Sequence, residues 1–188
     1  AMGANPGRTC VVTAGVDFGR FKTNLDRDEV RKQYGIAQDD SVLFFMGRLD
    51  PVTGLKEAAS EFAKIVVDHP KLKLLIVGEG ELFSVLAQVR DKYNMKNHLI
   101  LTGKQPYEVI PKFLAAADVC LLPFQLNDIT NEVVPIKMYE YMASGKPIVT
   151  TNLPGVRREM GEDNGIIYVN DPAEVVRKAT ELVDNQAN

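Results

Sequence analysis

Two glutamates and an arginine are the residues of this sequence whose types and spacing could bind a charged ligand rich in hydroxyl groups. Glu132 precedes a helical pattern, and Glu140 lies on the second turn of that pattern. Ionised carboxylates accept strong hydrogen bonds from sugar hydroxyls, and the free N–H groups at a helix start suit a phosphate. Arg48, which follows an apolar run, offers a guanidinium that can bind diphosphate oxygens at two points. Together these residues predict a receptor for a nucleotide sugar.

Each of these residues also has an ordinary structural interpretation. A glutamate before a helix is commonly a favourable partner of the helix dipole, a glutamate on a helix is commonly solvated, and an arginine after a strand is commonly a surface charge. Apolar neighbours within residues 138–142 make the solvated interpretation weaker for Glu140. The joint placement of the three residues around one cleft is what favours a binding site.

Short apolar runs alternate with helical patterns along the chain, and these elements position the candidate residues. Continuous apolar runs predict strands that are buried on both faces, and the i, i+3, i+4 spacing predicts the helices between them. The predicted strands are 42–46, 72–77, 98–101, 119–122, 147–150 and 166–169; the predicted helices are 55–66, 82–89, 109–117, 136–143 and 171–182, the last opened by an Asp-x-x-Glu capping box. Strict alternation predicts an α/β fold: a doubly wound, Rossmann-like parallel sheet of about six strands with helices on both faces. Residues 9–16 and 26–34 predict, less clearly, an edge strand and a further helix.

The ligand of such a sheet binds beyond the carboxyl ends of the strands, so the loops there form the candidate site. Gly47, Gly78 and Gly103 open three of these loops, and each glycine allows either a close backbone approach to a ligand or simply a tight turn. The run that begins at Gly78 lacks the third glycine of a dinucleotide fingerprint. The sequence contains no P-loop motif and no Gly-x-Ser-x-Gly nucleophile elbow. His69 and His98 fall at the opposite ends of their elements, where a structural role is expected.

Composition excludes several classes of function. The formal net charge is −3, from 22 Lys and Arg against 25 Asp and Glu, so no nucleic-acid partner is expected. Two widely separated cysteines, Cys10 and Cys120, exclude a disulfide scaffold and a cysteine metal site. No apolar run approaches the roughly 20 residues of a membrane span, and the first residues do not form a signal peptide, which leads us to expect a cytoplasmic location.

Residues 132–140 read Glu-Val-Val-Pro-Ile-Lys-Met-Tyr-Glu, and residues 141–149 read Tyr-Met-Ala-Ser-Gly-Lys-Pro-Ile-Val. These segments resemble the Glu-x7-Glu motif, and the run after it, of GT-B glycosyltransferases, especially the large retaining group 1 (GT4-like) family. Other segments resemble motifs of that family in the same order: Gly-Val-Asp at 15–17, Gly-Arg-Leu at 47–49, Val-Gly-Glu-Gly at 77–80, Leu-Thr-Gly-Lys at 101–104 and Ala-Ala-Asp-Val at 116–119. The resemblance covers nearly the whole chain and implies a single GT-B half, the C-terminal domain that binds the donor.

The resemblance implies a role for each candidate residue. Glu140 would bind the ribose hydroxyls, whereas Glu132 and Arg48 would be catalytic, the first on the donor sugar's hydroxyls and the second on the diphosphate. The further donor-binding candidates are Gly15, Asn131, the amides near Val134 and Ile136, Lys137, and the backbone around Gly103 and Lys104, which would meet the base. The family's diphosphate-binding lysine falls at Thr53, so Lys56 or Lys137 would have to replace it, and Pro135 stands where the motif usually has glycine.

The implied function is retaining transfer of a hexosyl group from a UDP- or GDP-linked nucleotide sugar to a glycan or another acceptor, as in polysaccharide biosynthesis, with no obligatory metal. An N-terminal acceptor domain would be the chain's own missing partner and could make a peripheral contact with the cytoplasmic face of a membrane. Residues 1–8 are interpreted as a cloning junction or a flexible start, and residues 9–188 as the nucleotide-sugar-binding domain, inactive by itself. A nucleotide-sugar epimerase of the same fold and a non-catalytic nucleotide-binding module remain alternatives.

Overall fold

A parallel sheet of six strands forms the centre of the molecule, in a computed structural model that describes residues 6–8, 10, 14–21, 26–162 and 164–186. The strands are β1 (Ser41–Met46), β2 (Leu72–Val77), β3 (Leu99–Leu101), β4 (Val119–Leu122), β5 (Ile148–Thr151) and β6 (Ile166–Val169). Their order is β3-β2-β1-β4-β5-β6, and every neighbouring pair is parallel. This is the order of a doubly wound Rossmann sheet, so the predicted fold class is confirmed.

Seven α-helices occur among the described residues, and the strands alternate with most of them. The helices are α1 (Arg27–Gln33), α2 (Leu55–Ile65), α3 (Leu82–Lys92), α4 (Ile110–Ala116), α5 (Ile136–Ala143), α6 (Pro154–Met160) and α7 (Pro172–Gln186). The capping box of the last helix forms, because the Asp171 carboxylate accepts a hydrogen bond from the Glu174 N–H at 2.8 Å. Helix α6 was not predicted from the sequence. Half of the predicted edge strand over 9–16 lies outside the described residues, and its described residues, 10 and 14–16, are not in a strand.

The core explains why the strands are continuous apolar runs. All six residues of β2 are buried, as are residues 42–46 of β1, because helices cover the sheet on both faces. One group of helices consists of α2 packed on α3 and α7, and another consists of α1 packed on α4. Burial on both faces leaves the carboxyl-end loops as the place where polar groups can converge.

A buried arginine closes the amino-terminal edge of the sheet, opposite those loops. Arg31 of α1 is fully buried and donates hydrogen bonds to the backbone carbonyls of Ala37, Asp40 and Ala116. It also donates to the carboxylate of Asp118 at 2.9 Å. Because these partners precede β1 and β4, the guanidinium fixes α1 and the starts of both central strands together.

Candidate functional site

A pocket of about 860 Å³ opens at the carboxyl edge of the sheet. It lies where β2 flanks β1 on one side and β4 flanks it on the other, the point at which the strand order reverses. Its lining residues are Met46, Gly47, Arg48, Val77, Gly78, Glu79, Gly80, Lys104, Gln105, Tyr107, Ile110, Ile136, Lys137 and Glu140. The ends of β1 and β2 and the loops after β1, β2 and β3 therefore supply most of the wall, and the first turns of α4 and α5 supply the rest. This is the position at which open α/β sheets bind their ligands.

The loops after β1 and β2 touch each other through their backbones, which is why glycines occur there. The Gly47 N–H donates to the Val77 carbonyl at 2.9 Å. A Cβ atom at position 78 would lie 1.9 Å from the Gly47 carbonyl oxygen, and Gly78 has a φ of +146°. Because any other residue would clash with that backbone, Gly78 keeps the two loops close and shapes the pocket wall.

Helix α5 is anchored to the end of β1. Strand β4 pairs with β1 only at Leu43 and Phe44, so the N–H of Met46 lies beyond the last of these pairs. That N–H donates to the hydroxyl of Tyr141 at 3.0 Å, and the Tyr141 ring packs against Phe44 with centroids 6.1 Å apart. With this face of α5 fixed, Lys137 and Glu140 line the pocket.

Glu140 offers a carboxylate with room for a ligand. The residue is only 6% exposed, and the hydroxyl of Tyr107 donates to its Oε1 at 2.6 Å. Within the described part of the chain, its Oε2 has no hydrogen-bond donor. The bond to Glu140 and partial burial raise the pKa of Tyr107 to about 12, so Tyr107 stays a neutral donor at physiological pH. Glu140 can thus accept a further hydrogen bond from a hydroxyl group in the pocket.

Lys137 places an ammonium group deep in the same pocket. Its Nζ lies 4.2 Å from the centroid of the Phe45 ring and 5.4 Å from that of Phe124. No carboxylate of the described residues lies within 4.0 Å of this Nζ. Burial lowers the pKa of Lys137 from 10.5 to about 7, although the charges of Glu140 and Asp50 oppose the change.

Arg48 and Lys104 add two positive charges at the mouth of the pocket. The Arg48 side chain is 79% exposed, and its Nε lies 3.0 Å from Oδ2 of Asp50. Lys104 is also exposed and lies 3.4 Å from Oε1 of Glu79. Such exposed pairs are weak, so both cations could exchange their partners for an anionic ligand. The pocket therefore combines one hydroxyl-accepting carboxylate with several cations.

A sequence model for glycosyl transferases group 1 matches residues 26–188. The chain belongs to this family. The match includes the whole sheet and every pocket residue named above, and it confirms the resemblance that the motifs indicated.

Curated relatives of this group 1 glycosyltransferase chain are longer than the chain itself. The D-inositol 3-phosphate glycosyltransferase of Geodermatophilus obscurus is 30% identical over 183 residues, which cover 92% of this chain and 39% of the relative. The N-acetyl-alpha-D-glucosaminyl L-malate synthase of Bacillus anthracis is 26% identical over 163 residues, which cover 86% of this chain and 41% of the relative. The chain thus spans about two fifths of the length of these relatives.

Solved structures share the fold at low sequence identity. HepE of Anabaena, crystallised with UDP, has a TM-score of 0.74 at 20% identity and matches 98% of this chain and 50% of its own. The C-terminal domain of LpcC, a glycosyl transferase group 1 protein of Francisella tularensis, has a TM-score of 0.72 at 17% identity; the match covers 90% of this chain and 88% of that domain.

The first glutamate of the Glu-x7-Glu motif of this glycosyltransferase domain does not line the pocket. Glu132 is exposed, and its carboxylate accepts a hydrogen bond from the guanidinium of Arg158 on α6. The segment before it is fixed by the Gly155 N–H, which donates to the Asn131 carbonyl at 2.7 Å. Glu132 therefore lies at the carboxyl edge of the sheet but pairs with α6, while Glu140 lies inside the pocket.

The remaining candidates divide between pocket and surroundings. Arg48, Lys104, Ile136, Lys137 and Glu140 line the pocket, whereas Gly15, Thr53, Lys56, Gly103, Asn131, Glu132 and Val134 do not. Thr53 is buried, with its hydroxyl donating to the Asp50 carbonyl at 2.6 Å, and Lys56 is exposed on α2. The donor-binding roles expected for all these residues stay predictions.

Sequence reasoning missed Tyr107, Gln105 and Glu79 among the lining residues. Tyr107 follows β3 in a short 3-10 turn, and its ring is stacked by the guanidinium of Arg20 at 5.2 Å. An aromatic residue in a carboxyl-end loop was the available signal. Among the described residues, no helix is long and apolar enough to cross a membrane, and no group of three or more His, Cys, Asp or Glu could hold a metal ion.

Proposed function

We propose that this chain is the C-terminal, donor-binding half of a retaining glycosyltransferase that transfers a hexosyl group from a UDP- or GDP-linked sugar to a glycan or another acceptor. One observation carries the proposal: the buried carboxylate of Glu140 and the ammonium of Lys137 lie in a single pocket at the carboxyl edge of the sheet. A nucleoside diphosphate is a ligand that presents both hydroxyls and negative charge to such a pocket. The structural similarity to HepE, which was crystallised with UDP-glucose, is compatible with this ligand.

The binding mode follows from the chemistry of the lining. The ribose hydroxyls donate to Glu140, whose other oxygen is already held by Tyr107. The diphosphate lies at the start of α5, where the N–H groups of Ile136 and Lys137 have no partner within the helix. Arg48 approaches from the pocket mouth after leaving Asp50. The donor sugar extends toward Glu132, whose carboxylate exchanges Arg158 for sugar hydroxyls.

Transfer breaks the bond between the sugar's anomeric carbon and the diphosphate oxygen, which takes the bonding electrons, while an acceptor hydroxyl oxygen bonds to the same carbon and its proton passes to the departing diphosphate. The new negative charge is stabilised by the cations and helix N–H groups that already surround the diphosphate, which is how a pre-organised site lowers such a barrier. The acceptor and its remaining contacts come from an N-terminal domain, so we expect the isolated chain to bind donor without efficient transfer. Its cytoplasmic location stays a prediction.

Titration calorimetry of this chain with UDP, GDP and ADP tests the proposal, and Glu140→Gln is the decisive variant. Loss of a hydrogen bond to a charged group weakens binding by about 10- to 100-fold, so we expect that loss for the preferred nucleotide. Glu132→Gln is the matched control, because it should retain the affinity for the nucleoside diphosphate and weaken only the contribution of the sugar in a UDP-sugar.

Two results would contradict the proposal. One is that the wild-type chain binds none of the three nucleotides. The other is that Glu140→Gln binds the preferred nucleotide as tightly as wild type does. In the full-length parent, a glycosylated product distinguishes transfer from the isomerised sugar that an epimerase would release.

A further inference from the structure

Lys137 differs from the other pocket cations in its surroundings. Arg48 and Lys104 are exposed, and each has a carboxylate within 4.0 Å. The ammonium of Lys137 instead lies between two aromatic rings and beneath the loop after β1. A Cβ atom at position 47 would lie 2.4 Å from its Nζ, so the glycine there leaves the space that the ammonium occupies. The fold thus holds a partly buried cation against the pocket, beside the Gly47 backbone and two aromatic rings.

Carboxylates near Lys137 attract its ammonium group, but none of those in the described part of the chain forms an ion pair with it. The charged and titratable groups that line its pocket or act on its charge are Arg48 and Asp50 after β1, Glu79 after β2, Lys104 and Tyr107 after β3, and Glu140 on α5. From the loop after β4, the ring of Phe124 lies 5.4 Å from its Nζ. Asp50 and Glu79 already pair with Arg48 and Lys104, and Glu140 is held by Tyr107. An entering diphosphate would be the first anion to contact the Lys137 ammonium directly.

We infer that Lys137, which lines the pocket, is the diphosphate-binding cation of this chain, and that it takes up a proton from solvent when the diphosphate enters the pocket. The inference rests on the proposed function, and it identifies the side chain that binds the phosphates in this chain. In this inference Lys137 takes that role rather than Lys56, because Lys137 lines the pocket and Lys56 does not.

The coupling to a proton follows from the cost of burying an isolated ammonium. Burial disfavours the charged form in the empty pocket, whereas a diphosphate at contact distance favours it. With a pKa of about 7 in the empty pocket, Lys137 is about one-tenth protonated at pH 8. Binding that restores the full charge therefore takes up about 0.9 proton at that pH.

Calorimetric titration of the chain with UDP at pH 8, in HEPES and in Tris, measures this uptake, because the observed enthalpy varies with the ionisation enthalpy of the buffer. Lys137→Arg keeps the positive charge without titrating, so it should bind UDP and take up about 0.9 proton less than wild type. Lys137→Met should bind UDP about 10- to 100-fold more weakly than wild type at pH 7, with its affinity for uridine retained. Lys178→Met, which changes an exposed lysine on α7 outside the pocket, should behave as wild type.

The outcomes separate this inference from the proposed function. If wild type binds UDP but takes up no more protons than Lys137→Arg, or if Lys137→Met retains full affinity, the role of Lys137 is overturned while donor binding stands. If wild type binds none of UDP, GDP and ADP at any pH, the proposed function fails and this inference fails with it; if it binds GDP or ADP instead of UDP, the same titrations are made with that nucleotide. Circular dichroism of each variant shows that it is folded before binding is compared.

Discussion

Replacing Lys137 by methionine should change how the stability of the ligand-free chain depends on pH. Burial places the pKa of Lys137 at about 7 in the folded chain, against 10.5 for an ordinary lysine. Between these two values the unfolded chain binds more protons than the folded chain, so the free energy of unfolding of wild type rises as the pH rises. At 1.36 kcal/mol for each unit, the gain from pH 6 to pH 9 is about 2–3 kcal/mol. Methionine is similar in shape and does not titrate, so the variant lacks this gain.

Urea denaturation followed by circular dichroism at pH 6, 7, 8 and 9 measures the effect. Lys137→Met should be more stable than wild type at pH 6, and its advantage should shrink by about 2–3 kcal/mol by pH 9. Lys178→Met on α7 is the matched control, because that side chain is exposed and pairs with Glu181 on the surface. Its difference from wild type should be constant over this range. A constant difference for Lys137→Met as well would refute the assignment of a buried, destabilised ammonium.

Two further substitutions test the groups that position the site and the sheet. Tyr107→Phe removes the hydroxyl that holds Glu140, so calorimetry should show a smaller preference for UDP over 2′-deoxy-UDP than in wild type; an unchanged preference would show that the hydroxyl does not orient the carboxylate. Arg31→Met leaves buried carbonyls without their donor and removes one donor of the Asp118 carboxylate, which keeps the Val42 N–H, and urea denaturation should show a loss of about 3–5 kcal/mol in the free energy of unfolding. A loss below about 1 kcal/mol would mean that water replaces the guanidinium.

The fold was predictable because the main elements are set by local pattern. Strands β2, β4 and β6 and helix α5 begin and end at the predicted residues, since continuous apolar runs and helical spacing report burial directly. Helix α6 was missed because its seven residues carry little apolar periodicity. Pro154 in its first turn and Gly161 just past its end are the helix start and stop signals that could have revealed it.

The missed helix explains why the sequence predicted that Glu132 would line the cleft together with Glu140. Their spacing places both near the same helix start, but Arg158 on α6 pairs with Glu132 and no sequence pattern joins them. Glu140 was expected in the cleft and lines it, and its partner Tyr107 was not anticipated, because 33 residues separate the pair. Contacts between distant loops depend on the packed sheet, which local patterns do not describe.

The environment of Lys137 likewise could not be predicted from local sequence patterns. The sequence suggested two lysines as replacements for the one absent at Thr53, and nothing local distinguished them. The structure separates them, because Lys137 lies against rings that come from β1 and from the loop after β4, whereas Lys56 is exposed on α2. Burial of one ammonium and solvation of the other are properties of the tertiary fold.

A crystal structure of the chain with UDP tests the central claim most directly. We expect the ribose hydroxyls within hydrogen-bond distance of the Glu140 carboxylate, and the diphosphate beside Lys137 at the start of α5. UDP bound outside this pocket, or seated in it with the ribose turned away from Glu140, would contradict the account.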